Sequence, residues 1–105
     1  MSRVNIVILR AHPGHSDELG LALEALIEPS RAEPRCKGYE VHRSIQDGDV
    51  WMVYECWETA DAVDEHLGRP HVQAFLSRLA NLVLGEINVD SYDRIAVPSI
   101  TSNTL

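Results

Sequence analysis

No apolar run in this 105-residue chain approaches the roughly 20 residues that cross a bilayer. The run nearest the start, "VNIVIL" after a single arginine, is too short for a secretory leader, so a cytoplasmic protein without a membrane partner is expected. Cysteine is scarce. Cys36 and Cys56 stand alone with no CxxC spacing, which argues against a redox pair or a zinc knuckle and leaves two small hydrophobes. Positive charge is scarce too: nine basic residues face sixteen acidic ones, for a net charge of -7. A surface of that sign repels phosphate backbones, so no nucleic-acid partner is expected. There is no GxSxG elbow for a nucleophilic serine, no GxGxxG or P-loop for a nucleotide, and no internal repeat.

What is present is a globular composition, 45% hydrophobic and 24% charged, in a length that suits one domain. Residues 3–11, "RVNIVILRA", are rich in β-branched side chains and read as a strand. "HPGH" turns the chain, Ser16 suits a helix N-cap, and Leu19, Ala22, Leu23, Leu26 and Ile27 recur with helical period towards Pro34. "CKGYEVHRSIQ" (36–46) and "VWMVYECW" (50–57) read as a hairpin around "DGD". Thr59 caps a helix over 60–67, "GRP" interrupts it, and Pro70 opens a second piece carrying Val72, Phe75, Leu76, Leu79, Leu82 and Val83. Gly85 closes that piece, and 86–95 is a fourth strand.

The order is βαββαβ: an α+β, ferredoxin-like domain over residues 1–95, with an antiparallel four-stranded sheet, helices on one face, and a tail at 96–105. Both parities of the strands are apolar. Val4, Ile6 and Ile8 oppose Val7 and Leu9, and Val50, Met52, Tyr54 and Cys56 oppose Trp51, Val53 and Trp57. Helices cover one face only, so a second copy packed sheet to sheet is expected to cover the other, giving a homodimer.

Four segments in this order carry a family resemblance: "HPG" after the first strand, "SRAEPRCKGYEVHRS", "VYECWET" and "DEHLGRPHVQAF". Over residues 3–95 the chain resembles the antibiotic biosynthesis monooxygenase domain, a dimeric α+β barrel. It departs at one turn, where members usually carry Glu-Pro-Gly-Cys and this chain has Glu33-Pro34-Arg35-Cys36. The resemblance implies a small aromatic substrate and O2, with no cofactor, in a monooxygenase acting on a phenol or quinol. Related members isomerise small metabolites or open haem. The haem-degrading pattern of Asn, Trp and His aligns with Val7, His66 and Leu76 here, which speaks against haem.

Cofactor-free oxygenation needs an apolar pocket, a base at the acidic hydroxyl or carbon, and room for O2. His66 suits the base: it borders the Val63/Leu67 stripe, and histidine's ordinary pKa near ~6.5 matches proton abstraction at neutral pH. Trp57 offers a ring to stack on a flat substrate. Glu55 shares its face and orients the base or forms an ion pair with Arg10, Arg43 or a histidine. Tyr39 and His42 are candidates to bind a substrate oxygen, but their opposite parity lets at most one face the helices. His71 and Phe75 are candidates for the pocket wall. His66 and His71 are five apart across a break, not at i,i+4, and no acidic residue joins them in a recognised pattern, so no metal is expected. The non-oxygenase alternatives are an isomerase or lyase in the same pocket, or a binding dimer without catalysis.

Overall fold

The computed structural model describes residues 2–95; the 96–105 tail lies outside them. The elements are β1 (Arg3–Arg10), α1 (Ser16–Glu24), α2 (Ile27–Arg31), β2 (Cys36–Arg43), β3 (Val50–Trp57), α3 (Ala60–Leu67), α4 (Pro70–Leu76), α5 (Leu79–Leu82) and β4 (Asn88–Asp93). The strands form one sheet in the order β2-β3-β1-β4, each pair antiparallel, with the helices packed on one face. This is the expected ferredoxin-like α+β arrangement. No helix among the described residues is long and apolar enough to cross a membrane.

Four local expectations need correction. The helix expected to run from Ser16 towards Pro34 is two helices, because Pro29 has no N–H for the Ala25 carbonyl and its ring crowds that carbonyl. Ser16 is the first helical residue rather than the cap: its hydroxyl donates to the Gly48 carbonyl and accepts from the Trp51 indole N–H, tying α1 to the hairpin. The hairpin strand stops at Arg43; the Ser44 N–H still donates to the Val50 carbonyl, while its hydroxyl receives the Asp47 amide and starts the turn. The helix expected to continue to Val83 breaks after Leu76, giving α4 and α5.

Thr59 does cap α3, accepting the Ala62 amide on its hydroxyl, and Pro70 is the first residue of α4. Gly85 takes a positive φ of 74°, which glycine adopts without a Cβ penalty. Arg35, standing where the family carries glycine, does not have a positive φ, so this turn needs no left-handed residue. Gly20, in the middle of α1, lies against the Trp51 ring, where a Cβ would collide.

Register decides what sits beneath the helices. Tyr39 pairs with Glu55, Glu55 with Asn5 and Asn5 with Ser91, so one polar row crosses all four strands. The next row on that face is Val41, Val53, Val7 and Val89. Even-numbered positions of β1 and β3 point away from the helices, and there Val4, Ile6, Ile8, Met52 and Tyr54 remain partly exposed in the single chain.

Candidate active site

Between the helices and these two rows lies a cavity of about 210 Å³. Its walls are mostly aliphatic, with Phe75 from α4, and its polar lining comes from Asn5, Tyr39, Glu55 and His66.

His66 sits in the last turn of α3 and is only 3% exposed. Its ring packs against Trp57, with centroids 4.5 Å apart, and against Tyr39 at 5.8 Å. Its Nδ1 donates to Glu33 Oε2 at 2.7 Å. A carboxylate offers no proton to share, so the proton of this bond belongs to Nδ1 and the neutral ring keeps its lone pair on Nε2. A buried imidazole bordering the cavity thus has its tautomer set by its partner.

Glu33 lies between α2 and β2, 7% exposed. The same Oε2 accepts from His71 Nε2 at 2.9 Å, and Arg69 Nε stands 3.5 Å from Oε1. The break at Gly68-Arg69 places His66 and His71, on separate helices, over one carboxylate. Ligand atoms of Glu33, His66 and His71 all lie within 4.8 Å of one another, so an acidic residue does join the two histidines, contrary to the sequence expectation. The distances to Oε2 are those of ordinary hydrogen bonds, and the Arg69 guanidinium already neutralises the carboxylate. The donor set is therefore satisfied as an ion-paired hydrogen-bond cluster.

Glu55, 7% exposed, lines the cavity and also departs from expectation. It pairs with neither Arg10, which goes to Asp47, nor Arg43, which goes to Asp17 and the Gly48 carbonyl, nor a histidine. Its Oε1 accepts from Asn5 Nδ2 at 3.0 Å and from Trp57 Nε1 at 3.1 Å. Ser91 extends the chain by donating to Asn5 Oδ1 at 2.7 Å. The carboxylate that orients His66 is Glu33, not Glu55.

Tyr39 lines the cavity too. Burial, with the Glu55 carboxylate second, pushes its phenol well above the ordinary value, the neighbouring Ser30 hydroxyl opposing. Tyr39 is therefore a hydroxyl, and a donor, throughout the neutral range. The folded state holds this proton more tightly than the unfolded chain, so the stabilisation is complete below pH ~10 and fades above it. Urea midpoints of wild type and Tyr39→Phe should run parallel from pH 7 to 9, and the wild type should fall more steeply beyond. Parallel curves up to pH 11 would contradict this.

Of the remaining candidates His42, Trp57, His71 and Phe75, only Phe75 is at the cavity. His42 has the opposite parity to Tyr39, pairs with Met52 and bonds Glu40 on the far face of the sheet. It is not a wall residue. Trp57, 1% exposed, lies behind His66 rather than in the lining, so its ring supports the histidine and cannot stack on a ligand there. His71 holds Glu33 from the far side and does not line the cavity. Phe75 does. Sequence reasoning missed Glu33 and Asn5. Asn5 carries a signal, a lone polar residue at an inward position of an apolar strand; Glu33 lies in the Glu33-Pro34-Arg35-Cys36 turn, and no spacing links it to His66.

Fold and cavity together define a small ferredoxin-like α+β protein with a carboxylate-held histidine at an apolar pocket. A family model described as "Antibiotic biosynthesis monooxygenase" matches residues 2–78, and the chain belongs to that family. "Putative monooxygenase Rv0793" of Mycobacterium tuberculosis is 30% identical over 77 residues, which are 73% of this chain and 75% of that protein. Its solved structure superposes with a TM-score of 0.87 at 25% identity, covering 94% of this chain and all of that one (100%). The crystal structure of PA3566 from Pseudomonas aeruginosa gives a TM-score of 0.86 at 29% identity, covering 90% and 95%. "Uncharacterized protein sll1783" of Synechocystis is 24% identical over 84 residues; the chain spans 57% of its length.

Proposed function

We propose that this protein is a cofactor-independent monooxygenase that oxidises a small phenol or quinol with O2. The observation that carries the reading is the Glu33–His66 pair, which leaves Nε2 of a buried imidazole unbonded in a residue that lines a mostly apolar cavity. Family membership supports it.

In the proposed reaction His66 Nε2 takes the hydroxyl proton, Glu33 stabilises the resulting imidazolium, and the Tyr39 hydroxyl donates to a substrate oxygen. The phenolate passes one electron to O2, the superoxide and phenoxyl radical combine at a ring carbon as a peroxide anion, and the His66 imidazolium returns its proton to make the hydroperoxide. Loss of water leaves a quinone. Phenol plus O2 becomes quinone plus water, so the atoms balance without another reductant. The protein contributes placement, a base and exclusion of bulk water. Size narrows the substrate: an apolar cavity of about 150 Å³ accepts benzene, so about 210 Å³ suits one substituted ring.

Oxygen consumption with single-ring phenols and hydroquinones tests this. Uptake should equal substrate lost and survive dialysis against a chelator. Turnover without O2, as an isomerase or lyase would give, or binding with no turnover at all, would overturn it. So would stoichiometric metal whose removal abolishes activity.

The working form we propose is a cytoplasmic homodimer. The partly exposed apolar side chains on the far face of β1 and β3 support it, as do the two unpaired thiols. Light scattering after size exclusion should give about twice the chain mass of 11.7 kDa. A monodisperse monomer at micromolar concentration would sink the dimer.

A further inference from the structure

The cavity is lined by one acidic group, Glu55, that proton removal by His66 does not use. Both hydrogen bonds made by Glu55 end on Oε1, from Asn5 and Trp57. Oε2 receives none from the described residues, and no Lys, Arg or His nitrogen among them lies within ion-pair distance of this carboxylate. The side chain is 7% exposed and lines the cavity. Glu33, the other buried carboxylate, shows the contrast, with two imidazoles and a guanidinium around it. Glu33 is satisfied by the protein. Glu55 is half satisfied, and it lines the cavity with one oxygen unbonded among the described residues.

A carboxylate oxygen held in an apolar enclosure without a cation gains strongly from an incoming donor, because the low-dielectric surroundings leave water little share in its solvation. The same oxygen repels an anion. Its position is well fixed: Asn5 is anchored in turn by Ser91, and the Trp57 ring that packs on His66 also bonds Glu55, so base and acceptor share one support.

We propose that Glu55 Oε2 is a second recognition point that selects the substrate. It accepts a hydrogen bond from a hydroxyl or amino group elsewhere on the ring than the hydroxyl given to His66. The ligand class is then a single-ring phenol with a second donor, neutral or cationic, and ring carboxylates are rejected. This deepens the proposed function and rests on that reading of the cavity as the substrate site.

The test is equilibrium binding by calorimetry under argon, which needs no turnover. The probes are hydroquinone, 4-aminophenol, 4-methylphenol and 4-hydroxybenzoate, similar in size and different at one position. Wild type should bind the first two at least ~10-fold tighter than 4-methylphenol, the order expected of a hydrogen bond to a charged group. 4-Hydroxybenzoate should be weakest. Glu55→Gln keeps an oxygen for Asn5 and Trp57 but puts an NH2 where the acceptor was. The preference over 4-methylphenol should shrink towards parity, and 4-hydroxybenzoate should gain.

Wild type binding 4-hydroxybenzoate as well as hydroquinone overturns the proposal, as does an unchanged ranking in the variant. If Glu55→Gln fails to fold, the wild-type ranking decides alone. The two readings fail separately. Oxygen uptake without this ranking removes the role of Glu55 and leaves the oxygenase; the ranking without uptake does the reverse. No binding of any probe removes both.

Discussion

His66→Gln should lower kcat by roughly 10²–10⁴-fold, the usual contribution of a positioned general base. Glutamine is the informative replacement. It retains bulk against Trp57 and an N–H for Glu33, and loses only basicity, whereas alanine would also open a hole beside a ring 4.5 Å away. The thermal midpoint should therefore move little while the rate collapses. A phenol that ionises unaided would hide the effect, so a less acidic analogue belongs beside it. Full activity of His66→Gln on both substrates would make His66 a packing residue and remove the base from the proposed mechanism.

Glu33→Gln should produce a loss of comparable order without touching the cavity. Glu33 is a positioning residue: its carboxylate can only accept, and that sets the proton on Nδ1 of His66. An amide can donate as well, and a ring that accepts on Nδ1 carries its proton on Nε2, where it is no base. The penalty for holding the wrong tautomer approaches that of losing the histidine, about 10²–10⁴-fold in kcat. Nitrogen NMR of the imidazole supplies the readout that a merely structural role would not move. Wild type should show the proton on Nδ1, and the variant a mixture or the opposite tautomer. An unchanged tautomer with an unchanged rate would reduce Glu33 to an anchor between helices. Glu33→Ala is the harsher change, since it strands the buried N–H of His66, at a cost of roughly 1–3 kcal/mol, and releases the half-buried His71 as well.

The order of elements was legible from local physics. Alternating β-branched residues, the Thr59 cap, Pro70 at a helix start and Gly85 at an end each act within a few residues, and the βαββαβ order follows. Even the surplus apolar face could be read, because side-chain parity along a strand is a property of the chain alone. Local signals failed where they competed: Pro29 outweighed an apolar stripe that runs straight through it, and the Ser16 hydroxyl found its partners on a distant hairpin instead of its own helix.

The site was a different matter. His66, Glu55, Tyr39 and Phe75 were recognisable as chemistry-bearing residues, and they do meet at the cavity. Their roles were not recognisable, because a role depends on which atoms face one another. Whether Tyr39 or His42 looked inward depended on which sheet face the helices cover, and one residue of slip would have exchanged them. The polar row Tyr39–Glu55–Asn5–Ser91 exists only once three strand pairings are in register. Glu33 reaches His66 across 33 residues of chain, and no periodicity links them. The sequence by itself determined the elements, their order and the supply of candidate groups, since those depend on interactions between near neighbours. Tertiary structure alone decided that Glu33 holds the histidine, that Trp57 stands behind it and that Glu55 keeps an oxygen free, since each is a matter of ångströms between segments the chain brings together only on folding.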